Sequence, residues 1–402
     1  MSGLLKITLS LYFIIGVAYG VEVKDIYKAS VVVDNRGDQS LRHGSQEALA
    51  EVLIRASGDS RAMESYDITQ AMANPSRYVE QYDFDRITRV NPETGLPEPA
   101  YQLNIAFNAQ GINQLIRNSG LPIWASNRAE VLVWLLVEDD NGRRLVNGDT
   151  APEIVTQLTA EAARRGLPIS FPINDLEDQL AVTPGDVWGM FMDRIVAGSN
   201  RYNPGALLVG KVYAPGLEGQ AAAWTFWMDQ QQELLETRGQ QLPEVLAPAI
   251  DYAADKLAEK YAVVLGEGDS DYVWLSVLGV ETLTDFAELT AYLDDLVAVQ
   301  QANLDLLQEA KTRFRVYLET DMENLQQLLA LDKKLIKVPD QQVLPQVTLS
   351  ADSAQAAVSQ EPVMPGVLDP GLGLDAVVPM GAQRTQEVTY HWHRTYNEVE
   401  FY

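Results

Sequence analysis

The sequence predicts an α+β protein of several modules: mixed sheets with packed helices, a C-terminal ferredoxin-like βαββαβ module, and a disordered tail. Three observations carry that prediction. Residues 131–137, Val-Leu-Val-Trp-Leu-Leu-Val, are an unbroken apolar run between Glu130 and Glu138. So short a run, rich in β-branched and aromatic residues, reads as a strand covered on both faces. A buried helix is its rival, but the two acids and the turn sequence Asp139-Asp140-Asn141-Gly142 close the run too early for one. Second, segments of strand and helix period follow one another between 273 and 338 in the order βαββαβ. Third, Gly266-Glu267-Gly268-Asp269-Ser270-Asp271 is a flexible acidic connector that sets this module apart.

Taken in order, the mature chain opens with a strand at 25–33 and a helix at 39–57, whose Leu41, Ala48, Leu49, Val52 and Leu53 share a face and whose stop is Gly58. A short helix at 68–73 ends before Pro75. Strands at 78–90 and 101–107 flank a turn-rich segment, and a helix at 110–118 ends at Gly120-Leu121-Pro122. These elements form an N-terminal α+β domain, 21–125.

The central mixed-sheet domain, 126–265, begins with the apolar run. Pro152 opens a helix at 152–165 and Gly166 ends it. A helix at 186–196 follows, then strands at 206–213, 221–228 and 233–237, and a helix at 245–261 with Ile250, Ala253, Ala254, Leu257 and Tyr261 on one face. The third domain, 271–338, holds strand 273–280, helix 285–296, strands 298–307 and 313–318, helix 322–330 and strand 335–338. From 339 to about 379 the chain is rich in Pro, Gln, Val, Ala and Gly without a period, the composition of disorder. Within this 339–402 tail, 387–394 alternates well enough to add as an edge strand or dock elsewhere.

Length and composition agree with this division. A chain of 402 residues exceeds the ~250 at which single cores stop growing, and 47% hydrophobic with 21% charged residues is an ordinary folded composition. Residues 1–20 read as a secretory signal peptide: Lys6, an apolar stretch over 7–17, and the small-x-small site Ala18-Tyr19-Gly20. The rival, an uncleaved anchor, calls for ~20 apolar residues, more than this run holds. The expected address is the periplasm, with no transmembrane span once the signal is removed. The chain has no Cys, which excludes disulfides, thiolate nucleophiles and a lipidated cleavage site. A net charge of −26 with no local basic cluster argues against nucleic acid.

Several stretches resemble one known family. They are Ala50-Glu51-Val52-Leu53-Ile54-Arg55-Ala56-Ser57-Gly58-Asp59, the run at 131–137, Trp224 to Trp227, Asp255-Lys256-Leu257-Ala258-Glu259-Lys260-Tyr261 and Tyr390-His391-Trp392. Together they resemble the secreted proteobacterial proteins of a domain-of-unknown-function family numbered 2066, over most of the mature chain. The resemblance implies an envelope address and brings no catalytic residue. The middle unit also looks like the sheet-and-helix modules of periplasmic assembly proteins, a likeness of fold that says little about function.

Motifs that carry chemistry are few. Gly205 to Lys211 has the spacing of a phosphate-binding loop, but Val212 stands where Ser or Thr must bind Mg²⁺, and the intervening Ala-Leu-Leu-Val reads as strand. Gly210 is better explained by a bulge or close packing. His391 and His393 would share a strand face as metal ligands, yet no third ligand is in view, and as polar edge or tail residues they need none. His43 stands beside Ser45 without a nucleophile elbow, and Ser45 falls in the first helix. The acidic pairs Asp139-Asp140, Asp294-Asp295 and Asp269 with Asp271 read as solvated turns; weak Ca²⁺ binding at the connector and paired-carboxylate hydrolysis are the sharper alternatives. Trp124, Trp134, Trp188, Trp224, Trp227 and Trp274 read as core; because Trp227 faces away from Trp224 and Phe226, an exposed interaction surface at Trp227 is the alternative.

No catalytic, cofactor-binding or metal-binding residue is therefore assigned. The expected function is that of a non-enzymatic interaction or assembly factor in the periplasm, its partner an envelope protein or cell-wall component. The alternative is a carboxylate-dependent hydrolase acting on wall glycan or peptide. A cleft holding acids from two elements would favour the hydrolase, and a flat apolar patch or unpaired sheet edge the interaction protein.

Overall fold

The structure, a computed structural model, describes residues 20–91, 94–139, 142–213, 219–266, 272–308, 311–332, 334–338 and 387–393. The expected signal peptide up to residue 19, the connector from 267 to 271 and the expected disorder over 339–379 lie outside the described residues. The fold is α+β, as the sequence predicts. No helix among the described residues is long and apolar enough to cross a membrane.

The first part comprises β1 (Gly20–Glu22), β2 (Lys28–Val33), α1 (Asp38–Ser57), α2 (Tyr66–Met72), β3 (Val79–Val90), β4 (Pro97–Phe107) and α3 (Ala109–Asn118). β2, β4 and β3 make an antiparallel sheet in that order. Strict alternation in β2 buries Ala29, Val31 and Val33 beneath α1, which contributes Ala48, Leu49, Val52, Leu53 and Ala56. Helix α1 ends at Gly58 in the left-handed region, φ 75°, its N–H bonding the Ile54 carbonyl at 2.8 Å. A Cβ at Gly58 would stand 2.4 Å from that of Ala258, so both conformation and close approach require glycine here.

The second part holds β5 (Asn127–Ala129), β6 (Val131–Asp139), β7 (Gly142–Leu145), α4 (Pro152–Arg165), β8 (Ile169–Ser170), α5 (Leu176–Ala181), α6 (Pro184–Trp188), α7 (Met192–Ser199), β9 (Ala206–Tyr213), β10 (Gln220–Met228), β11 (Gln231–Gly239) and α8 (Leu242–Tyr261). The sheet runs β11-β10-β9-β6-β7, with β8 beside the start of β6. β6 is the doubly covered strand of the sequence reading. Val131, Val133, Leu135 and Val137 meet the α4 and α8 layer, while Leu132, Trp134 and Leu136 meet α6 and α7. The helix expected at 186–196 is two helices, α6 and α7, separated by Gly189, Met190 and Phe191, with Met190 at φ 53°.

Within the Gly205–Val212 segment all but Gly205 belong to strand β9, and its Gly210 answers to packing. A Cβ there would meet the Trp224 ring at 2.2 Å and Leu135 at 3.0 Å. Gly210→Ala is therefore expected to destabilise the chain by about 2 kcal/mol through overpacking, readable as a lower denaturant midpoint at unchanged slope. An unshifted midpoint would contradict this.

The third part comprises β12 (Tyr272–Leu278), α9 (Leu283–Asp295), β13 (Val299–Gln308), β14 (Lys311–Leu318), α10 (Met322–Asp332), β15 (Leu335–Lys337) and β16 (Glu387–Trp392). The first six follow the predicted βαββαβ order. Sheet order is β13-β14-β12-β16-β15. β16 is thus an interior strand and not an edge: it pairs parallel with β12 and antiparallel with β15. Alternation explains the placement, because Val388, Tyr390 and Trp392 all enter the core shared with Leu275, Val277, Leu289 and Phe314.

Candidate functional site

Where α1 and α4 end, the first and second parts are joined by buried arginines. Arg128, fully buried, donates to five backbone carbonyls: Ala125 at 2.9 Å, Arg165 at 3.1 Å, Gly166 at 2.8 Å, Arg55 at 2.8 Å and Trp124 at 3.1 Å. Its guanidinium also lies 3.8 Å from the Trp124 ring centroid. The C-terminal carbonyls of two helices, each the negative end of a macrodipole, take the place of a carboxylate partner. Burial, with Arg55 nearby, pulls its pKa down to about 9, so it remains a cation at neutral pH. Arg165 completes the joint, donating to Asp251 at 2.9 Å, Asp255 at 2.6 Å and the Gly58 carbonyl at 3.0 Å.

Beside this joint a groove of 760 Å³ opens between the first part and α4, lined by Lys24, Asp25, Glu51, Arg55, Asp83 and Arg164 among others. Its carboxylates come from different elements, and each is already held. Asp25 pairs with Lys28 at 2.7 Å, Glu51 with Arg55, and Asp83 accepts from Asn104 at 2.9 Å. Burial pushes the Glu51 carboxyl up, against the pull of Arg55, while the Lys28 partner draws Asp25 down.

A smaller pocket of 310 Å³ includes Gly20, Glu22, Asp295, Asp332 and Lys334 in its lining. Asp332 accepts from Tyr292 at 2.6 Å and from the Asn127 amide. Burial raises its pKa above the usual carboxylate value, outweighing the Tyr292 hydrogen bond. A folded-state pKa above the unfolded one adds stability below the unfolded value and loses it as pH rises through the folded value. Asp332→Asn should therefore gain stability relative to the parent chain between pH 4 and pH 7, measured by paired melts. A pH-independent difference would contradict the assignment.

The outer face of the C-terminal sheet bears a ladder of rings and cations. α9 and α10 pack on the inner face through Leu289, Leu293, Leu325 and Leu329, whereas no described element covers the outer one. Strand register sets Tyr272 opposite Tyr317, Trp274 opposite Arg315 and Ser276 opposite Arg313. Tyr272 meets Trp274 edge to face at 5.2 Å and Tyr317 at 5.9 Å. The Arg315 guanidinium sits 4.9 Å from Tyr272 and 5.0 Å from Trp274, and that of Arg313 lies 4.7 Å from Trp274. Asp305 accepts from Arg313 at 2.9 and 2.7 Å, and Glu387 accepts from Lys311 and Ser276, each at 2.8 Å.

Arg315 differs from its neighbours. Its side chain makes no hydrogen bond to a described residue: its Nε is buried without a partner, and its guanidinium reaches Asp305 only as a long ion pair of 3.8 Å. Rings hold the side chain in place while its guanidinium lacks a short hydrogen bond, an arrangement suited to a carboxylate or carbonyl brought by a ligand.

The residues singled out from sequence are not brought together. His43 is exposed on α1 and Ser45 is buried in the same helix. His391 lies on the exposed side of β16 with His393 just beyond it, and no group of three metal-ligating side chains occurs among the described residues. Asp139 ion-pairs with Arg144, Asp294 and Asp295 are exposed, and Asp140, Asp269 and Asp271 lie outside the described residues. Trp227 follows the core reading more closely than the exposed alternative. It is partly buried, packed against the helical layer of Val187 and Ile195, and so belongs with the core more than with an exposed surface. Trp274, read as core, stands half-buried on the open face. The period-two patterns Tyr272-x-Trp274 and Arg313-x-Arg315-x-Tyr317 are the signal that could have located this face.

A family described as a domain of unknown function, DUF8605, matches residues 20–125. This is not the family numbered 2066. No curated protein and no solved structure matches the chain.

Proposed function

We propose that the chain is an exported envelope protein that acts in the periplasm by non-covalent contact, as an interaction or assembly factor for an envelope protein or wall component. The observation that carries this reading is the open face of the C-terminal sheet, where the Arg315 side chain is held by rings, leaves its Nε unpartnered and meets Asp305 only as a long ion pair of 3.8 Å. The leader-like residues 1–20 support the address. An excess of acids elsewhere makes a cationic, aromatic face a distinct feature for a partner bearing carboxylates.

The second reading, carboxylate-dependent hydrolysis of the wall, draws on Glu51 and Asp83 in one groove and on the raised Glu51 carboxyl. Two arms separate the readings. Affinity capture from cross-linked envelopes should recover one or two stoichiometric envelope components with the parent chain and lose them with Arg315→Glu. The reading fails if capture matches an untagged strain while the purified chain releases soluble wall fragments that Glu51→Gln abolishes.

A further inference from the structure

The outermost strand of the same sheet, β13, pairs with β14 on one side and with no described strand on the other. Exposed edges are ordinarily blunted by charge. β3 carries Glu80, Asp83, Asp85, Arg86 and Arg89, and β11 carries Glu233, Glu236 and Arg238. β13, Val-Gln-Gln-Ala-Asn-Leu-Asp-Leu-Leu-Gln, has Asp305 alone, and Arg313 already neutralises it. Leu304 and Leu307 are 46% and 58% exposed on this edge.

Register reveals a symmetry within the strand. Val299, Ala302, Leu304 and Leu307 stand opposite Leu318, Val316, Phe314 and Thr312, on the helix-covered side, while Gln301 and Asn303 stand opposite Tyr317 and Arg315 on the outer side. Register shifts fall between Val299 and Gln301 and between Leu304 and Leu306, so the apolar set on the helix-covered side is symmetric about Asn303, while Leu306, opposite Arg313 on the outer side, has Gln300 as its mate. Reversing the strand about that residue superposes 299 on 307, 302 on 304 and 301 on 305.

We propose that β13 pairs antiparallel with β13 of a second copy of this chain, the two-fold axis passing through Asn303. Val299 then faces Leu307, Ala302 faces Leu304, and the Gln301 amide donates to the Asp305 carboxylate, each contact occurring twice by symmetry. No like charges meet along the strand. The two cation–aromatic faces become parts of one continuous sheet, doubling the proposed contact surface, although the pairing itself does not depend on what that surface binds. The opposing force is the net charge of −26 on each copy, which salt screens. Self-association should therefore strengthen with ionic strength.

The absence of Cys allows a clean test on the full chain. Paired residues on antiparallel strands have Cα atoms about 4.5–5.5 Å apart, within disulfide range. Asn303→Cys should oxidise readily to a covalent dimer, whereas Gln308→Cys, displaced from the axis, should not. In sedimentation velocity the parent chain should show a dimer fraction that rises from about 0.05 to 0.5 M NaCl. Leu304→Lys, at an exposed position, should weaken the dimer about tenfold or more with the monomer's melting unchanged. A parent chain that stays monomeric at both salt concentrations, or Asn303→Cys cross-linking no faster than Gln308→Cys, would overturn the proposal.

Discussion

Deleting residues 387–402 is expected to unfold the C-terminal domain while the first two parts of the chain keep their structure. β16 contributes Val388, Tyr390 and Trp392, all buried, to the core formed by β12, β14, α9 and α10. Each such side chain contributes about 1.5–3 kcal/mol of burial, and removing a buried aromatic costs about 3–5 kcal/mol. The sum reaches the about 5–15 kcal/mol that a whole domain has to spare. Deletion also strips partners from both neighbours, since β12 pairs with β16 from Trp274 to Leu278 and β15 pairs with it from Leu335 to Lys337. Hydrogen exchange provides the check. Amides of β12, β14 and β15 should lose protection in the deleted chain and those of β6 and β9 should keep it. Unchanged protection in β12 would mean that β15 closes the gap and that β16 is dispensable.

The second large effect is expected at Arg128. Arg128→Met preserves much of the volume but leaves five carbonyl oxygens without their donor, at the ends of α1 and α4 and in the segment leading to β5. A buried acceptor stripped of its partner costs about 1–3 kcal/mol, and breaking a buried charged network about 3–5 kcal/mol in all. Because Arg55, Trp124 and Ala125 belong to one side of the joint and Arg165 and Gly166 to the other, the loss falls on the coupling between the parts. The expected result is a melt that splits, with α1 and the β2-β4-β3 sheet unfolding before the central sheet. Arg128→Lys should recover only part of the loss, since the ammonium keeps the charge but cannot reach all the carbonyls spread around the planar fork. A single transition at the parent temperature in both variants would show that the joint contributes little.

Much of the fold is legible in the sequence because its signals are local. The apolar run at 131–137 announces a doubly covered strand, Pro152 and Gly166 bracket α4, and short β-branched or aromatic-rich runs mark β2 and β12. Gly210 could be read as a packing residue because a P-loop lacks its hydroxyl there. What the sequence hides is non-local. β16 lies next to β12 in space but more than a hundred residues away in sequence, and nothing local tells an interior strand from an edge. Arg128 sits in an unremarkable Asn-Arg-Ala and acquires its role from carbonyls that two distant helices deliver. α5 escapes notice because Leu176 and Leu180 are exposed, so its six residues show no buried stripe. The ladder face was obscured by the same rule that served for Trp134 and Trp224: an aromatic residue on a strand is usually core. Trp274 departs from it because α9 and α10 both pack on the opposite side.

The central claim is that the open face of the C-terminal sheet makes the contacts by which this protein works. A photoreactive phenylalanine analogue at Tyr317, whose ring closes the ladder beside Tyr272, tests it in living cells. A cross-linked species of one defined mass is expected in the envelope, absent when the analogue replaces Leu234 on the exposed edge strand β11 and lost when Arg315→Glu is added. No adduct from Tyr317, or the same adducts from both positions, would contradict it.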